Sequence, residues 1–192
     1  VAKIIDGLRG ELPEPVFVAG GKAITAQISR HLLRPLPCRS LTREEFAKRL
    51  AACETYITAP GLNAVFEGLD AGHVVTFLPP QNASQVFQLA RYEACRVVPP
   101  GLNLPHLVDV AFPSLSTVED EHGFTQLVLT ALDEVAASPE IGQHLVAHLR
   151  EQLQGRSRAR AHQNAFWAGL GPPGGATVAA AIGQWLDTRR AV

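Results

Sequence analysis

The chain has 192 residues, of which 46% are hydrophobic and 18% are charged, and its formal net charge is -1. This length and composition allow one well-buried core but hardly two full domains. The small net charge gives no general electrostatic reason to bind nucleic acid or an anionic membrane surface. We therefore expect small molecules or proteins, and no nucleic acid, as partners.

Short apolar runs alternate with helical patterns through the first part of the chain. The predicted strands lie near residues 16–19, 36–39, 55–58, 73–78 and 95–98. Thr42 precedes Glu45 by three residues, which is the capping-box spacing at the start of a helix. Such alternation is typical of βαβ units, so we predict an α/β fold with a doubly wound, Rossmann-like parallel sheet of about five or six strands.

The helix predicted after the third strand has an apolar and a polar side. Its predicted buried stripe contains Leu62, Val65, Phe66 and Leu69. Asn63 and Glu67 are four residues apart and therefore share a face outside that stripe. Gly61 would let a phosphate approach the free N–H groups at the helix start, with Glu67 one turn further along. From the local pattern alone, a solvated surface charge remains the more frequent role for such a glutamate.

The last third of the chain has a different pattern, with hardly any β-branched clustering. Helical periodicity covers residues 125–138, 139–154 and 176–190. We predict a Rossmann-like domain over residues 1–115 and a helical tail over residues 116–192 that packs on the same domain.

Two further clusters are less informative. His144 and His148 have the spacing of metal ligands on a helix, but no Glu lies between them in an HExxH pattern and no third ligand is apparent, so we predict no metal site. Four arginines are interpreted as a solvated helical junction, with an anionic partner as the less favoured alternative. These arginines are Arg150, Arg156, Arg158 and Arg160.

The compartment is indicated by cysteine usage and by what the chain lacks. Cys38, Cys53 and Cys95 form neither a CxxC pair nor an even-numbered disulfide framework. No stretch reaches the roughly 18 to 20 apolar residues that span a bilayer, and the first residues lack the apolar core of a signal peptide. We expect a soluble, cytoplasmic protein with no integral membrane segment. Because the chain begins at Val1 and contains no methionine, we also expect it to be a piece of a longer protein.

Residues 52–98 combine several features in a specific order. A strand leads into a small-residue turn, a helix with Glu67, the pair Ala71-Gly72, a second strand ending at Pro79-Pro80, and a loop that contains Gln85. Together with the preceding glycine turn, this order resembles the C-terminal, donor-binding domain of GT-B glycosyltransferases over about residues 14–100. The resemblance is to the kind that includes the peptidoglycan N-acetylglucosaminyl transferase and antibiotic-tailoring glycosyltransferases. It implies that the chain is one half of a GT-B fold.

The resemblance also implies a donor site, without identifying a catalytic residue. The residues implied to bind the nucleotide and its diphosphate are Gly20, Gly21, Ser40, Leu41, Gly61, Leu62, Asn63 and Glu67. Among them, Glu67 would bind the ribose, while the backbone of residues 38–42 would read the base. The residues implied to line the sugar are Gln81, Asn82, Ser84 and Gln85. Ser84 stands where the family usually has an acid, so the sugar remains open.

The function implied is metal-independent transfer of a sugar from a UDP or dTDP donor to an acceptor hydroxyl, on a small molecule or natural product. The nucleotide sugar is a co-substrate, and no further cofactor is expected. An N-terminal acceptor domain would lie outside this chain. Two alternatives stay open: a non-catalytic GT-B-like binding or partner subunit, and a nucleotide-sugar epimerase. An epimerase would need more acids and histidines near the sugar than Glu67 and His73.

Overall fold

A computed structural model describes residues 1–113 and 120–171, and helices make up 60% of it. The helices described are α1 (Ala2–Leu8), α2 (Lys22–His31), α3 (Arg43–Ala52), α4 (Leu62–Asp70), α5 (Ala83–Ala94), α6 (Leu104–Leu107), α7 (Glu121–Ala137), α8 (Pro139–Gln154) and α9 (Arg156–Gly169). The strands described are β1 (Val18–Ala19), β2 (Cys38–Arg39), β3 (Tyr56–Thr58) and β4 (Val75–Phe77). None of these helices combines the length and the apolar character that crossing a bilayer requires.

The strands form two separate parallel pairs in the described part of the chain. Strands β1 and β2 pair directly and are connected in the chain by helix α2, with Val18 opposite Cys38. Strands β3 and β4 pair in the same way and are connected by helix α4, with Ile57 opposite Thr76. The predicted Rossmann-like sheet of about five or six strands, and with it the half of a GT-B fold, is therefore wrong. What the described part of the chain contains instead is two short βαβ units together with further helices.

The predicted strand at residues 95–98 is replaced by a tight helix end. After α5, Arg96 adopts a left-handed conformation with a φ of 59°, and the N–H of Val97 donates to the carbonyl of Tyr92 at 2.9 Å. This is the six-to-one hydrogen bond of a Schellman motif. Because the motif uses the N–H of Val97 and turns the chain sharply, these residues cannot extend along the sheet.

Two buried glutamines occupy the edge of β4 where a further strand would pair. Gln163 of α9 accepts from the N–H of Val75 at 2.9 Å and donates to the Val75 carbonyl at 2.8 Å. Gln152 of α8 accepts from the N–H of Phe77 at 3.0 Å and donates to the Phe77 carbonyl at 3.2 Å. A carboxamide carries the same donor and acceptor as a peptide group. The two side chains therefore substitute for a neighbouring strand, and this is a physical reason why the sheet stops at β4.

Local signals explain the helices that carry the site. The capping box before α3 is confirmed, since Thr42 Oγ1 accepts from the N–H of Glu45 and Glu45 Oε2 accepts from the N–H of Thr42. The stripe predicted for α4 is correct for Val65 and Leu69, which are buried. It is wrong for Leu62, which is 47% exposed at the first residue of the helix.

The core lies between the β3–β4 pair and helices from both ends of the chain. Helix α8 contacts α1 and β4, and α9 contacts α4. A second apolar cluster joins α5, α6 and α7. By contrast, Thr25 is the only buried residue between residues 13 and 42. The β1–α2–β2 unit is thus attached to the core from outside.

The C-terminal helices differ partly from the sequence prediction. Helices α7 and α8 coincide closely with the two predicted segments, whereas the predicted helix at residues 176–190 lies outside the described residues. Helix α9 was not predicted as a helix. Its arginines hold it in place: Arg156 donates to the Thr55 hydroxyl and the Glu54 carbonyl, and Arg160 donates to the Gly72 carbonyl. These two arginines of the predicted junction therefore have structural contacts within the chain.

A glycine in α4 allows this helix to lie close to the strands. A Cβ atom on Gly68 would stand 2.7 Å from the Tyr56 ring and 3.0 Å from Val75 Cγ2. We expect Gly68→Ala to lower the free energy of unfolding by about 1 to 2 kcal/mol, because overpacking outweighs the better helix propensity of alanine. Urea denaturation measures this change.

The matched control is Gly142→Ala in α8, where a Cβ would meet nothing within 4 Å. There the same substitution should raise the free energy of unfolding by up to about 1 kcal/mol. Equal effects at the two positions would contradict the close packing of α4 on β3 and β4.

Candidate functional site

An open cleft lies beside the turns that follow the strands, and it consists of two depressions. The first, of about 400 Å3, is lined by Ala19, Gly20, Gly21, Ser40, Leu41, Thr42, Arg43, Phe46 and Glu67. The second, of about 450 Å3, is lined by Arg43, Asn63, Phe66 and Glu67. Arg43 and Glu67 line both depressions. The two depressions together are called the donor cleft, after the donor site that the sequence resemblance predicts here.

The chain path explains why these residues meet. Strand β1 leads into the turn at Gly20 and Gly21, and β2 leads into Ser40 and Leu41. Because parallel strands end at the same edge of their sheet, the two turns lie side by side. Helix α4 then presents Asn63 and Glu67 from the neighbouring βαβ unit. The cleft is thus built by three segments that are distant in the sequence.

The three helices that begin here differ in how their first N–H groups are used. Helices α2 and α4 start after Gly21 and Gly61, and neither glycine supplies a side-chain cap. Their first N–H groups are therefore able to bind an anion. The start of α3 is closed by its capping box. The Thr42 N–H that donates to the Glu45 carboxylate lowers the pKa of that group, so a negative charge already occupies this position.

The loop predicted to line the sugar is organised around its own helix cap. Asn82 Oδ1 accepts from the N–H of Gln85 at 3.0 Å and from the Ser84 hydroxyl at 2.9 Å. Gln85 Oε1 accepts from the N–H of Gln81 at 2.9 Å. None of these four side chains lines the donor cleft. Their contacts account for the row of amides as a local structure at the start of α5.

The loop nevertheless approaches the start of α4. A Cβ on Gly61 would lie 3.6 Å from Gln85 Nε2, so this side-chain amide stands beside the uncapped helix end. Leu62, which is about half exposed, lies next to it in the chain. The structure therefore brings Gly20, Gly21, Ser40, Leu41, Asn63 and Glu67 around the donor cleft, whereas it groups Gly61 with Gln85 at a neighbouring position.

Sequence reasoning missed Ala19, Arg43, Phe46 and Phe66 among the residues that line the donor cleft. Arg43 and Phe46 are three positions apart on α3 and face the cleft together, and Phe66 contributes from α4. A signal for Arg43 and Phe46 was present, because a helix start at Thr42 places residues 43 and 46 on one side of the first turn. Phe66 was assigned to the buried stripe and is only half-buried.

His73 lies away from the cleft and has a structural contact. It precedes β4, and its Nε2 is 2.6 Å from the carbonyl of Leu50, so the ring nitrogen donates to the end of α3. Cys53 Sγ is 3.8 Å from the same nitrogen and also donates to Leu50. Burial raises the pKa of the Cys53 thiol, which favours the uncharged form. Among residues 1–113 and 120–171, no group of three or more His, Cys, Asp or Glu residues could hold a metal ion.

Comparison with protein-family models, with curated proteins and with solved structures found no match to this chain.

Proposed function

We propose that the donor cleft binds a nucleotide-diphosphate sugar and that the chain supplies the donor site of a metal-independent glycosyltransferase. One observation carries the proposal. Residues from three separate segments, which the sequence resemblance assigns to a single nucleotide, surround one cleft. The pairs Gly20-Gly21 and Ser40-Leu41 meet Glu67 there although they are far apart in the chain.

The chemistry of the lining residues suits such a donor. The backbone of Ser40 and Leu41 offers hydrogen-bonding groups to a base, and the Glu67 carboxylate can accept from the two hydroxyls of a ribose. The start of α4 has free N–H groups for a diphosphate. These donors would stabilise the negative charge that develops on the leaving diphosphate as the sugar moves to an acceptor hydroxyl. A UDP or dTDP sugar as donor, and a small molecule or natural product as acceptor, belong to the same proposal.

The second candidate is a non-catalytic binding or partner subunit. Arg43 and Glu67 are the only charged residues that line the donor cleft in the described part of the chain. Among the residues that the structure describes, no second carboxylate and no histidine lines the cleft to accept or donate a proton, which favours binding without transfer by this chain alone. The contact of His73 with Leu50 counts against an epimerase, because this histidine does not line the cleft.

Glu67→Ala tests the proposal. Isothermal titration calorimetry with UDP, dTDP, GDP and CDP should show selective binding of one nucleotide to the unaltered chain. The substitution should weaken that binding by about 1 to 3 kcal/mol, since it removes charge-assisted hydrogen bonds to the ribose.

Asp70→Ala is the matched control, because Asp70 is exposed on the same helix and does not line the cleft. This variant should bind as the unaltered chain does. Absence of binding to all four nucleotides, or equal loss in the two variants, would contradict the proposal. Release of the nucleoside diphosphate from the matching nucleotide sugar, once an acceptor is added to a binding-competent chain, would favour the transferase over the binding subunit.

A further inference from the structure

Arg43 has a special position in the donor cleft. It lines both depressions, as Glu67 does, and so it stands where they join. Both side chains are exposed, and no ion pair within 4.0 Å joins them or binds either of them elsewhere in residues 1–113 and 120–171. The cleft thus presents one positive and one negative group without an internal partner for either.

Helix α3 itself gives no reason for an arginine at this position. Arg43 is the first residue of the helix, where the helix dipole disfavours a positive charge. The acidic neighbours have other partners, since Glu44 pairs with Lys48 at 3.1 Å and Glu45 completes the capping box. The guanidinium therefore extends into the cleft uncompensated.

The surroundings indicate which ligand group the guanidinium would meet. Glu67 repels phosphate and accepts from hydroxyls, so the ribose belongs beside Glu67. The second depression continues from these two residues to Asn63, at the uncapped start of α4. A phosphate chain lying there passes between Arg43 and the helix N–H groups. A planar guanidinium has enough donors to contact oxygens of two phosphates at once.

We propose that Arg43 is a specificity-determining residue that selects nucleoside diphosphates over monophosphates in the donor cleft. This inference rests on the proposed function, and it adds a residue and a selection that the sequence resemblance does not assign. The β-phosphate is the group through which the donor sugar is attached. Selection at this phosphate would distinguish a sugar donor from the monophosphates that share its base and ribose.

The test compares the preferred diphosphate among UDP, dTDP, GDP and CDP with its own monophosphate, by calorimetry on the full chain. Arg43→Gln should weaken diphosphate binding by about 10- to 100-fold, the size of a lost charge-assisted contact. Monophosphate binding should fall by less than about threefold. Arg43→Lys should recover part of the preference, because it keeps the charge but not the planar fork.

Arg30→Gln is the control for net charge, since Arg30 is exposed on α2 and does not line the cleft. It should leave both affinities unchanged. Thermal unfolding of Arg43→Gln checks that α3 is intact. Diphosphate binding with an unchanged preference in Arg43→Gln overturns the inference alone. If the unaltered chain binds no nucleotide, the proposed function fails and the inference fails with it.

Discussion

Gln163→Leu is expected to lower the free energy of unfolding by about 3 to 5 kcal/mol, the largest effect among the substitutions proposed. Gln163 is 1% exposed. Its carboxamide accepts from the N–H of Val75 and donates to the carbonyls of Val75 and Val97. Leucine has a similar volume but no polar atoms. Three buried backbone groups would lose their partner, and each such group costs about 1 to 3 kcal/mol.

Urea denaturation followed by circular dichroism measures this effect. Gln154→Leu is the matched control, because Gln154 is exposed at the end of α8 and the same change there should stay within about 0.5 kcal/mol. A loss below 1 kcal/mol for Gln163→Leu would show that the side chain does not hold the edge of β4.

Gln152→Leu should lower the free energy of unfolding by about 2 to 4 kcal/mol. Within the described residues, the Gln152 side chain hydrogen-bonds only to the N–H and the carbonyl of Phe77, so two groups lose their partner instead of three. The order of the two glutamine variants is therefore itself a prediction. A larger loss at Gln152 than at Gln163 would contradict the count of hydrogen bonds.

The pair can also be tested together. Val75 and Phe77 are alternate residues of the same short strand, and both glutamines bond to its outer edge. Once one substitution has freed that edge, the second should cost less than it does alone, because the strand end can then reach water. Strictly additive losses would indicate two independent sites rather than one supported edge.

Some of the fold could be predicted because its signals are local. Thr42 and Glu45 are three residues apart, and the hydrogen bonds that connect them need no other part of the chain. Four of the five predicted strand segments contain a strand for the same reason, since short apolar runs after loops favour extended backbone. Each strand is nevertheless only two or three residues long. Pro37 directly before β2 and Pro79 soon after β4 cannot donate to a ladder, which helps to keep the strands short.

The extent of the sheet could not be predicted because its limit is set over long range. Gln163 is 88 residues away from Val75 in the sequence, and nothing in the local pattern around either residue indicates that they meet. Within the run at residues 95–98, Val97 and Val98 are apolar and buried, as the residues of a strand would be. Its turn depends on Arg96 in a left-handed conformation that Gly or Asn more often adopts, so the usual signal for a helix end was missing.

In the site, too, the features set by local sequence could be predicted and those set by contacts between distant segments could not. Asn63 and Glu67 share a helix face by simple periodicity, and the structure has them lining one depression. Residues 81–85 were interpreted only as a loop that lines the sugar, although Asn82 followed three residues later by Gln85 also fits a helix cap. In the structure the cap accounts for these amides. Arg43 was overlooked, since a surface arginine has no significance until its neighbours in the cleft are known.

The most direct test of the central claim is a titration of the isotopically labelled chain with UDP, dTDP, GDP and CDP, followed by amide chemical shifts. If the donor cleft is a single binding site, one nucleotide should shift a set of amide signals along a single binding curve. These signals belong to Gly20, Gly21, Ser40, Leu41, Asn63 and Glu67. The amides of Val75 and Phe77 should stay unchanged. Shifts confined to another surface, or shifts at these turns that follow different curves, would contradict the account of one cleft built by three segments.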